Sequence, residues 1–555
     1  MRRNILPLIF ITGVGLVGVK ALFHPGLFSA FDIWHQVARL YHYQQAFADG
    51  QFPPYWIGTL AHGLGYPLFF FSYPLPWILG LPFLSLGFDI FTTIKILFGL
   101  SYVLSGVCMY FFVKDFLRSS WASLLVAVVY LWAPYRFLTI YVYGAMGGSF
   151  VFVFIPIFLW GVWKLRQFKS RKFGLVLTST GIAGLILSHL MTLPSLLPLF
   201  LLFIVGVFLS VTTTERKGFL IWLLGSLMLG VGLSSFYLLP AIAYSRLTQV
   251  SSGVFSQLYK EGFPTLSQLI YSRWGYGLYG DSVKESTFSL QIGIAQWIAA
   301  VLAGISLLSI PPRRLISQVK TNRVLTFLIV FLVGFSISIF FMLDVSRPVW
   351  AFVVRFISLD YPTMFMTSAV FCSSVLGGLV FLLLKKPYNF LFLVFIILTA
   401  LYTNRNHLRV NMYTHFSISD YVGAETTTNS FHEYLPKLAD LRLFGGQQVS
   451  AVEPAEIVVE DLRQNTKALT FSVVLTEETQ LTVKHFVFPG IVLYVDNIKR
   501  SFGADETGRI QFSALVGRHN IRVEFGDTGL VKFGKFATFA SLLLLVYIWR
   551  SKRYA

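Results

Sequence analysis

Long apolar stretches, separated by short polar and basic segments, are the main pattern of the chain. Most of them approach the ~20 residues with which an α-helix crosses a ~30 Å hydrocarbon core, and they predict about twelve transmembrane helices. We place these helices near residues 5–23, 90–112, 120–140, 149–163, 173–190, 192–210, 218–238, 289–309, 324–343, 361–384, 388–402 and 533–549.

The apolar segment 66–88 differs from the others because prolines interrupt it at positions 67, 74, 76 and 82. A straight spanning helix tolerates prolines poorly, since each one removes a backbone hydrogen bond. We therefore expect short helices here, which lie in the outer leaflet or re-enter it.

The segment 403–530 has a different period. Apolar and polar residues alternate with period two in 468–474 and 508–525, which is typical of β-strands with one buried face. Apolar residues flank Gly517 on both sides at this period and predict a hairpin, while Asp496-Asn497 predicts another turn. An antiparallel β-sandwich of roughly 80 residues fits these signals.

The composition is that of a membrane protein. Of the 555 residues, 55% are hydrophobic and only 12% are charged, and the mean hydropathy is +0.68. A soluble protein of this length could not cover its surface with so few charges. The formal net charge of +19 does not indicate nucleic-acid binding, because most of the excess lies in short clusters between apolar stretches, where Lys and Arg determine topology.

These basic clusters predict the orientation in the membrane. With a cytoplasmic N-terminus all of them fall on the cytoplasmic side, as the positive-inside rule demands; they lie at 114–118, 164–172, 216–217, 313–323, 385–386 and 550–553. We therefore expect a polytopic α-helical protein of the cytoplasmic membrane with both termini cytoplasmic. Its expected parts are a transmembrane domain (1–402) with external loops (24–89 and 240–290), an external linker and β-sandwich domain (403–530), and a C-terminal anchor (531–555).

The first external loop contains the clearest candidate site. On a helix, Asp32, His35 and Arg39 share one face, because His35 and Arg39 follow Asp32 by three and seven residues. Asp32 and His35 together suit a divalent metal, or Asp32 suits a general base, and Arg39 suits a phosphate. The alternative is a solvated helix end at which Asp32 is an ordinary N-cap.

Further charged residues lie at or near predicted external helix ends. Charged groups are costly in lipid and usually face a cavity. Arg136, His189, Arg355 and Asp360 are therefore candidates for substrate binding, and such a mixed set suits a substrate with an anionic headgroup and a lipid tail. The alternatives are structural: a helix-end histidine at His189 and a helix cap at Asp360.

The stretch 32–67, DIWHQVARLYHYQQAFADGQFPPYWIGTLAHGLGYP, resembles the first external loop of the 6-pyruvoyl-tetrahydropterin-synthase-related membrane proteins of bacteria and archaea. That family is similar to the GT-C class of polytopic glycosyltransferases and to YfhO-like proteins. The resemblance continues in order through APYRFLTIYVYGA (133–145), LSHLMTL (187–193), FYLLPA (236–241), WGYG (274–277), SLQIG (289–293), SLDYP (358–362), HEYLPK (432–437) and FPGIVLYVDN (488–497).

The resemblance implies a GT-C-like fold and reaction. Such enzymes pass a sugar from a polyprenyl-phosphate carrier to an acceptor outside the cytoplasmic membrane, and an acidic residue of the first external loop serves as base or metal ligand. Asp32 is the matching position, so the resemblance implies Asp32 with His35 as the catalytic centre and Mg or Mn as the candidate metal. His189 matches the family's histidine.

The chain also departs from the family. Tyr55, Tyr143 and Met364 stand where the family has arginines, and Gly148 stands at or near an acidic position. Neither tyrosine nor methionine supplies the charge with which a guanidinium holds a diphosphate.

The leading hypothesis is a glycosyltransferase that uses a polyprenyl-phosphate-linked sugar in the membrane lipid and a cell-surface glycan or glycolipid acceptor. The alternatives are a catalytically silent scaffold or accessory protein of surface glycan assembly, and a lipid or polysaccharide translocase.

Overall fold

The computed structural model describes residues 5–252, 258–277, 287–319, 322–357, 359–440 and 451–551. Parts of the predicted regions 240–290 and 403–530 lie outside these ranges, as do Lys320, Ser358 and the charges at 552 and 553.

The helices are mostly apolar, and several of them begin after a residue whose side chain caps the helix. Asp89 and Thr528 each precede a long helix and accept a hydrogen bond from a backbone N–H three residues later, which satisfies a donor that has no partner inside the helix. The α-helices are α1 (Ile5–Gly18), α2 (Ile33–Ala48), α3 (Leu68–Phe71), α4 (Leu75–Ser85), α5 (Ile90–Leu117), α6 (Ser120–Leu131), α7 (Pro134–Phe137), α8 (Met146–Leu165), α9 (Arg171–His189), α10 (Leu193–Leu209), α11 (Arg216–Leu233), α12 (Ser235–Tyr244), α13 (Leu266–Ile270), α14 (Ile294–Leu308), α15 (Pro312–Val319), α16 (Arg323–Met342), α17 (Arg347–Val353), α18 (Met366–Leu383), α19 (Tyr388–Thr403), α20 (Ile418–Ala424) and α21 (Gly529–Arg550).

Within the described ranges, seven helical stretches are long and apolar enough to cross a membrane. They are Ile90–Leu117, Met146–Leu165, Phe168–Leu209, Thr213–Leu233, Arg323–Met342, Pro362–Leu383 and Gly529–Arg550. The pair Ser120–Leu131 and Pro134–Val142, bent by 48°, brings the number to eight if it is one span. The predicted spans near 5–23, 289–309 and 388–402 appear as shorter apolar helices, so the count of twelve is not established.

The stretch Phe168–Leu209 contains two helices, α9 and α10, which run in opposite directions. Gly174 in α9 lies against Leu165 at the end of α8. Phe203 in α10 packs on Phe116, whose ring also contacts Trp163 near the same end of α8. A straight helix would separate residues 174 and 203 by about 44 Å. The chain therefore turns back at Leu190–Thr192, where a short 3₁₀ helix joins α9 to α10.

Glycines allow α8 and α9 to pack with their backbones close together. A methyl group at Gly161 would collide with Thr178, and one at Gly181 would collide with the backbone of Phe158. Small residues commonly serve this purpose in membrane helices, because lipid offers no hydrophobic drive for helices to associate and close van der Waals contact replaces it. The packing holds the start of α8 beside the end of α9.

The C-terminal β region consists of two antiparallel sheets. Its strands are β3 (Val452–Glu453), β4 (Val459–Gln464), β5 (Ala468–Leu475), β6 (Thr479–Phe486), β7 (Ile491–Val495), β8 (Ile498–Arg500), β9 (Gly503–Ala504), β10 (Arg509–Ala514) and β11 (Gly517–Phe525), and two earlier strands, β1 (Leu27–Phe28) and β2 (Tyr413–Thr414), form a separate pair. The four-stranded sheet has the order β3–β6–β10–β9 and the five-stranded sheet the order β4–β5–β11–β7–β8. β1 pairs with β2 and so ties the first external loop to the linker before the sheets.

The predicted hairpin around Gly517 is wrong. β10 pairs with β6 and β9, whereas β11 pairs with β5 and β7, so the two strands belong to different sheets. A period-two pattern shows that each strand has one buried face, but it does not show which strand lies beside it. The predicted turn at Asp496-Asn497 is present: both residues have positive φ, 53° and 64°, and they join the paired strands β7 and β8.

The first external loop packs against the β region through Trp56. Its indole is fully buried and stacks on His485 at 5.2 Å and on Phe488 at 5.9 Å between ring centroids. Two backbone hydrogen bonds of 2.7 Å flank this contact, from Gly58 N to Thr466 O and from Phe486 N to Leu64 O. The β region therefore holds the loop that carries α2.

Alanine substitutions at two adjacent glycines of α8 test how closely this helix packs against α9. In Gly147→Ala the new methyl group would collide with the carbonyl oxygen of Ser188, whereas in Gly148→Ala it would find Ala145 Cβ at an ordinary 3.6 Å. We expect Gly147→Ala to destabilise the protein by about 1–3 kcal/mol. Gly148→Ala should be neutral or stabilising by up to about 1 kcal/mol, because alanine favours a helix over glycine. Thermal unfolding of the two purified variants measures this difference, and equal melting temperatures would contradict the close approach.

Candidate functional site

The start of α2 is fastened to the turn before α8. Phe31 N and Asp32 N donate to the carbonyl oxygens of Val142 and Tyr143, both at 2.9 Å. Gly144 makes this approach possible: its φ is +65°, and a methyl group there would lie 3.0 Å from Ala30 Cβ. The sequence thus fixes the position of Asp32 through a glycine far along the chain.

Beside this junction lies a cavity of about 420 Å³, the Asp32 cavity, which is lined by residues from the start of α2, the start of α8, the end of α9, α12 and two loops. Its polar lining is Asp32, Arg39, Ser72, Tyr73, His189, Tyr237, Ser245, Asp360, Asn429, Glu433 and Tyr434. Its other lining residues are Phe71, Ala145, Gly148, Leu190, Met191, Ala241, Ile242 and Val250. Four of the predicted site residues therefore meet: Asp32, Arg39, His189 and Asp360.

Asp32 occupies the N-cap position of α2, but its side chain makes no capping hydrogen bond. Asp89, by contrast, caps α5 through a bond from Thr92 N at 2.9 Å. Within the described residues the Asp32 carboxylate has no hydrogen bond or ion pair. Burial raises its pKa above the ordinary value, and this outweighs the opposing charges of His35 and Arg39. An ordinary cap therefore does not account for this residue.

Arg39 is held by the linker that follows the last helix of the transmembrane domain. Its Nη2 donates to Thr428 O at 2.7 Å and its Nε lies 3.5 Å from Thr428 Oγ1. Thr428 has a φ of +61°, a conformation that is strained for a β-branched residue and that tends to occur at functional sites. The strained residue fixes one edge of the guanidinium and leaves the group in the cavity lining.

His35 is not part of the cavity lining. Its Nδ1 lies 2.7 Å from Glu425 Oε2 and its Nε2 lies 3.1 Å from Ser430 Oγ. Both ring nitrogens are thus engaged by the linker, and the predicted pairing of Asp32 with His35 as metal ligands does not fit this arrangement. Among the described residues, no three His, Cys, Asp or Glu side chains are grouped for a metal.

His189 is the last residue of α9 and closes the cavity from the side of the helix bundle. Its Nδ1 lies 2.8 Å from Thr192 Oγ1, and its ring contacts that of Tyr73 at 5.7 Å between centroids. The bond to Thr192 leaves Nε2 for a ligand in the cavity.

Two further carboxyl groups line the cavity with an unsatisfied oxygen. Asp360 Oδ1 and Glu433 Oε2 are buried without a hydrogen-bond partner among the described residues. Glu433 is oriented by Asn429, whose Nδ2 donates to the other carboxylate oxygen. Burial, and to a smaller extent the charge of Glu433, raises the pKa of Asp360 from 3.8 to about 6. Unpaired buried carboxylates cost stability and point to a missing partner.

The remaining predicted arginines lie elsewhere. Arg136 is fully buried, with its guanidinium 4.0 Å from the ring centroid of Phe152 and with Nη2 donating to Ser105 Oγ at 3.0 Å. Arg355 is exposed after α17 and does not line the cavity. Their predicted role in substrate binding stays untested, and the position of each gives it no contact with the Asp32 cavity.

Sequence reasoning missed Asn429, Glu433 and Tyr434 as site residues. The motif HEYLPK contains two of them, but a polar linker before a β domain has no periodicity that marks a site. Of the positions where the chain departs from the resembled family, Gly148 lines the cavity, whereas Tyr55, Tyr143 and Met364 do not.

No protein-family model matches the chain. Over 254 residues it is 28% identical to an uncharacterized protein of Lactococcus lactis subsp. cremoris (strain MG1363), and the alignment covers 42% of this chain and 39% of that protein. A structural match to the arabinofuranosyltransferase AftD from Mycobacteria has a TM-score of 0.44 and 13% sequence identity, over 74% of this chain and 27% of that chain. The chain thus spans well under half the length of either protein. The resemblance to the family described above stays a prediction, and the function has to be argued from the site.

Asp360 predicts how stability depends on pH. The pKa of Asp360 in the folded protein is raised to about 6. Ionisation of this carboxyl group therefore lowers the stability of the fold progressively as pH rises from about 4 to 6. Asp360→Asn should therefore melt higher than the wild type at neutral pH, by about 2–4 °C, and this difference should shrink toward pH 4. Melting curves across this range measure it.

Asp89 provides a control of opposite sign. Although burial alone would raise its pKa, hydrogen bonds from Thr92 hold the pKa below the ordinary value, so ionisation of Asp89 stabilises the fold. Asp89→Asn should show no gain in melting temperature at neutral pH. A gain of equal size in both variants would contradict the assignment to Asp360.

Proposed function

We propose that this chain is a membrane glycosyltransferase that takes a sugar from a polyprenyl-phosphate carrier, with the Asp32 cavity as its donor site. The observation that carries the proposal is the carboxylate of Asp32. It is partly buried, free of protein partners among the described residues, and lines the same cavity as Arg39. This combination supplies a base and a phosphate-binding cation within one site.

The shape of the cavity suits a lipid-linked substrate. Most of the charged lining residues come from the start of α2 and the loops, and the apolar residues Leu190, Met191 and Ala241 come from the α9–α10 turn and α12. We take these as its polar and apolar sides. Ile242, also in the lining, is 61% exposed, so the apolar side continues onto the outer surface of α12. A sugar phosphate would occupy the polar side and its isoprenoid chain would leave along the apolar side.

The reaction moves one sugar and one proton. The acceptor hydroxyl gives its proton to the Asp32 carboxylate, and its oxygen forms the new bond to the anomeric carbon of the donor. The bond between that carbon and the phosphate oxygen breaks, and its electron pair stays on the phosphate. Arg39 stabilises this developing negative charge, and His189 Nε2 is placed to hold a sugar hydroxyl or a phosphate oxygen. The raised pKa of Asp32 makes it a stronger base than an exposed carboxylate.

The proposal includes a divalent ion, Mg or Mn. No three carboxylates of the described residues are grouped to hold the ion by themselves. Asp360 or Glu433 of the cavity lining would therefore hold it together with the donor phosphate, since Mg²⁺ commonly uses one or two carboxylates together with substrate phosphates. When bound, the ion would neutralise phosphate charge. It would also offset the repulsion between the donor phosphate and the carboxylates, which outnumber the guanidinium of Arg39.

The base is tested with Asp32→Asn in membranes supplied with labelled polyprenyl-phosphate sugars. We expect transfer to fall by about 10²–10⁴-fold, the usual contribution of a general base, while binding of polyprenyl phosphate persists. Asp89→Asn is the matched control, since asparagine also caps helices and Asp89 lies outside the cavity; it should retain activity. Full activity in Asp32→Asn would sink the assignment of the base.

The phosphate site is tested by binding polyprenyl phosphate to the purified protein, with and without Mg. Arg39→Gln should weaken binding by about tenfold or more, because it removes charge-assisted hydrogen bonds. Arg355→Gln changes an exposed arginine outside the cavity and should bind as the wild type does. Arg39→Lys retains the charge and checks that the loss is not one of folding. Equal affinity in all variants, or no binding by the wild type, would refute the donor site.

The catalytically silent scaffold remains the second candidate. It is favoured by the cavity itself: among the described residues that line it, Arg39 is the only arginine. A scaffold would bind lipid phosphate but show no Asp32-dependent transfer with any donor.

A further inference from the structure

Three arginines meet at the opposite end of the helix bundle. Arg118 follows α5, Arg166 follows α8 and Arg323 begins α16. Gly148, near the start of α8, lines the Asp32 cavity, so Arg166 lies about 27 Å from it along that helix. This is the end predicted to face the cytoplasm.

The guanidinium groups are close together and poorly compensated. Arg166 Cζ and Arg323 Cζ lie 3.9 Å and 4.7 Å from the ring centroid of Trp163. Arg166 Nε is buried without a hydrogen-bond partner among the described residues. Burial, and next the charge of Arg118, lowers the pKa of Arg166. Like charges held this near one another require an anion to offset their repulsion.

The nearby carboxylate is already engaged. Asp115 lies 2.8 Å from Lys164 Nζ and accepts a hydrogen bond of 3.1 Å from Trp160 Nε1. In the described part of the chain no other acidic side chain bonds to any of the three arginines. The described residues therefore provide the cations of this site but no carboxylate that is free to offset them.

An open cavity of about 640 Å³ adjoins these arginines. Its polar lining consists of Arg118, Gln318, Asn322 and Arg323, whereas Leu379 and Leu382 of α18 contribute to its apolar surface. Basic side chains that only determine membrane topology can do so while they are fully solvated in a loop. Here the side chains of Arg166 and Arg323 are half-buried and stack on an indole beside a space large enough for a ligand.

We propose that this arginine cavity, lined by Arg118 and Arg323 with Arg166 beside them on Trp163, binds the phosphate group of an anionic phospholipid. Guanidinium groups match phosphate oxygens in charge and geometry, and basic pockets between membrane helices bind lipid headgroups. The apolar residues of α18 favour a lipid over a soluble phosphate, because they offer a surface to the first carbons of the acyl chains. This site is independent of the proposed glycosyltransferase activity.

The test measures lipid binding by the full-length protein in nanodiscs of phosphatidylcholine with or without phosphatidylglycerol. Native mass spectrometry counts the retained lipids, and thermal unfolding reports stabilisation. We expect phosphatidylglycerol, but not phosphatidylcholine, to be retained and to raise the melting temperature. Arg118→Gln with Arg323→Gln should weaken this binding by about tenfold or more, and Arg118→Lys with Arg323→Lys should lose less, since it keeps the charge.

Arg405→Gln is the matched control. Arg405 also stacks on a ring, with Cζ 3.9 Å from the centroid of Tyr402, but it lies beyond α19 at the other end of the bundle, and its loss should leave lipid retention unchanged. Arg39→Gln should likewise leave it unchanged, which separates this site from the donor site. Equal retention by the double glutamine variant and the wild type would overturn the proposal. An equal rise in melting temperature with inorganic phosphate alone would overturn its assignment to a lipid.

Discussion

The hydrocarbon interior of a bilayer offers no hydrogen-bond partner, and this constraint decides where the chemistry of the protein lies. Backbone in such a region has to be helical, and charged side chains have to move to the helix ends. The Asp32 cavity obeys this: Asp32, Arg39, Asp360 and Glu433 lie outside the candidate spans, and His189 is the last residue of α9. The bundle itself is filled by apolar and aromatic side chains, with Arg136 held among rings.

Close packing then turns separate helix ends into one site. Glycines bring the backbone of α8 against α9, so that Gly148 and His189 line the same cavity. The external linker completes it: Thr428 accepts from Arg39, and Glu433 adds a carboxylate. The β region contributes to this site mainly by positioning the first external loop, because His485 and Phe488 stack on Trp56 of that loop.

The two ends of the bundle have opposite electrostatic character. The Asp32 cavity contains carboxylates in excess of its guanidinium, a setting that suits a base and a bound cation. The arginine cavity contains guanidinium groups in excess of free carboxylates, a setting that suits a phosphate. We therefore propose different phosphate ligands for the two cavities, a sugar donor for the first and a membrane phospholipid for the second. The length of α8 separates the two cavities, because one lies at its start and the other at its end.

The sequence by itself determined the apolar helices, the proline-broken segment at 66–88, the β character of the C-terminal region and the turn at Asp496-Asn497, because hydrophobic period and turn chemistry are local properties. It also singled out Asp32, Arg39, His189 and Asp360, since charges beside apolar stretches are conspicuous. Only the tertiary structure decided which of these residues meet. It separated Arg136 and Arg355 from the cavity, turned His35 toward Glu425, and placed β10 and β11 in different sheets. These arrangements depend on contacts between residues hundreds of positions apart, such as the one between Arg39 and Thr428. A local pattern of hydrophobic and polar residues does not contain information about such contacts.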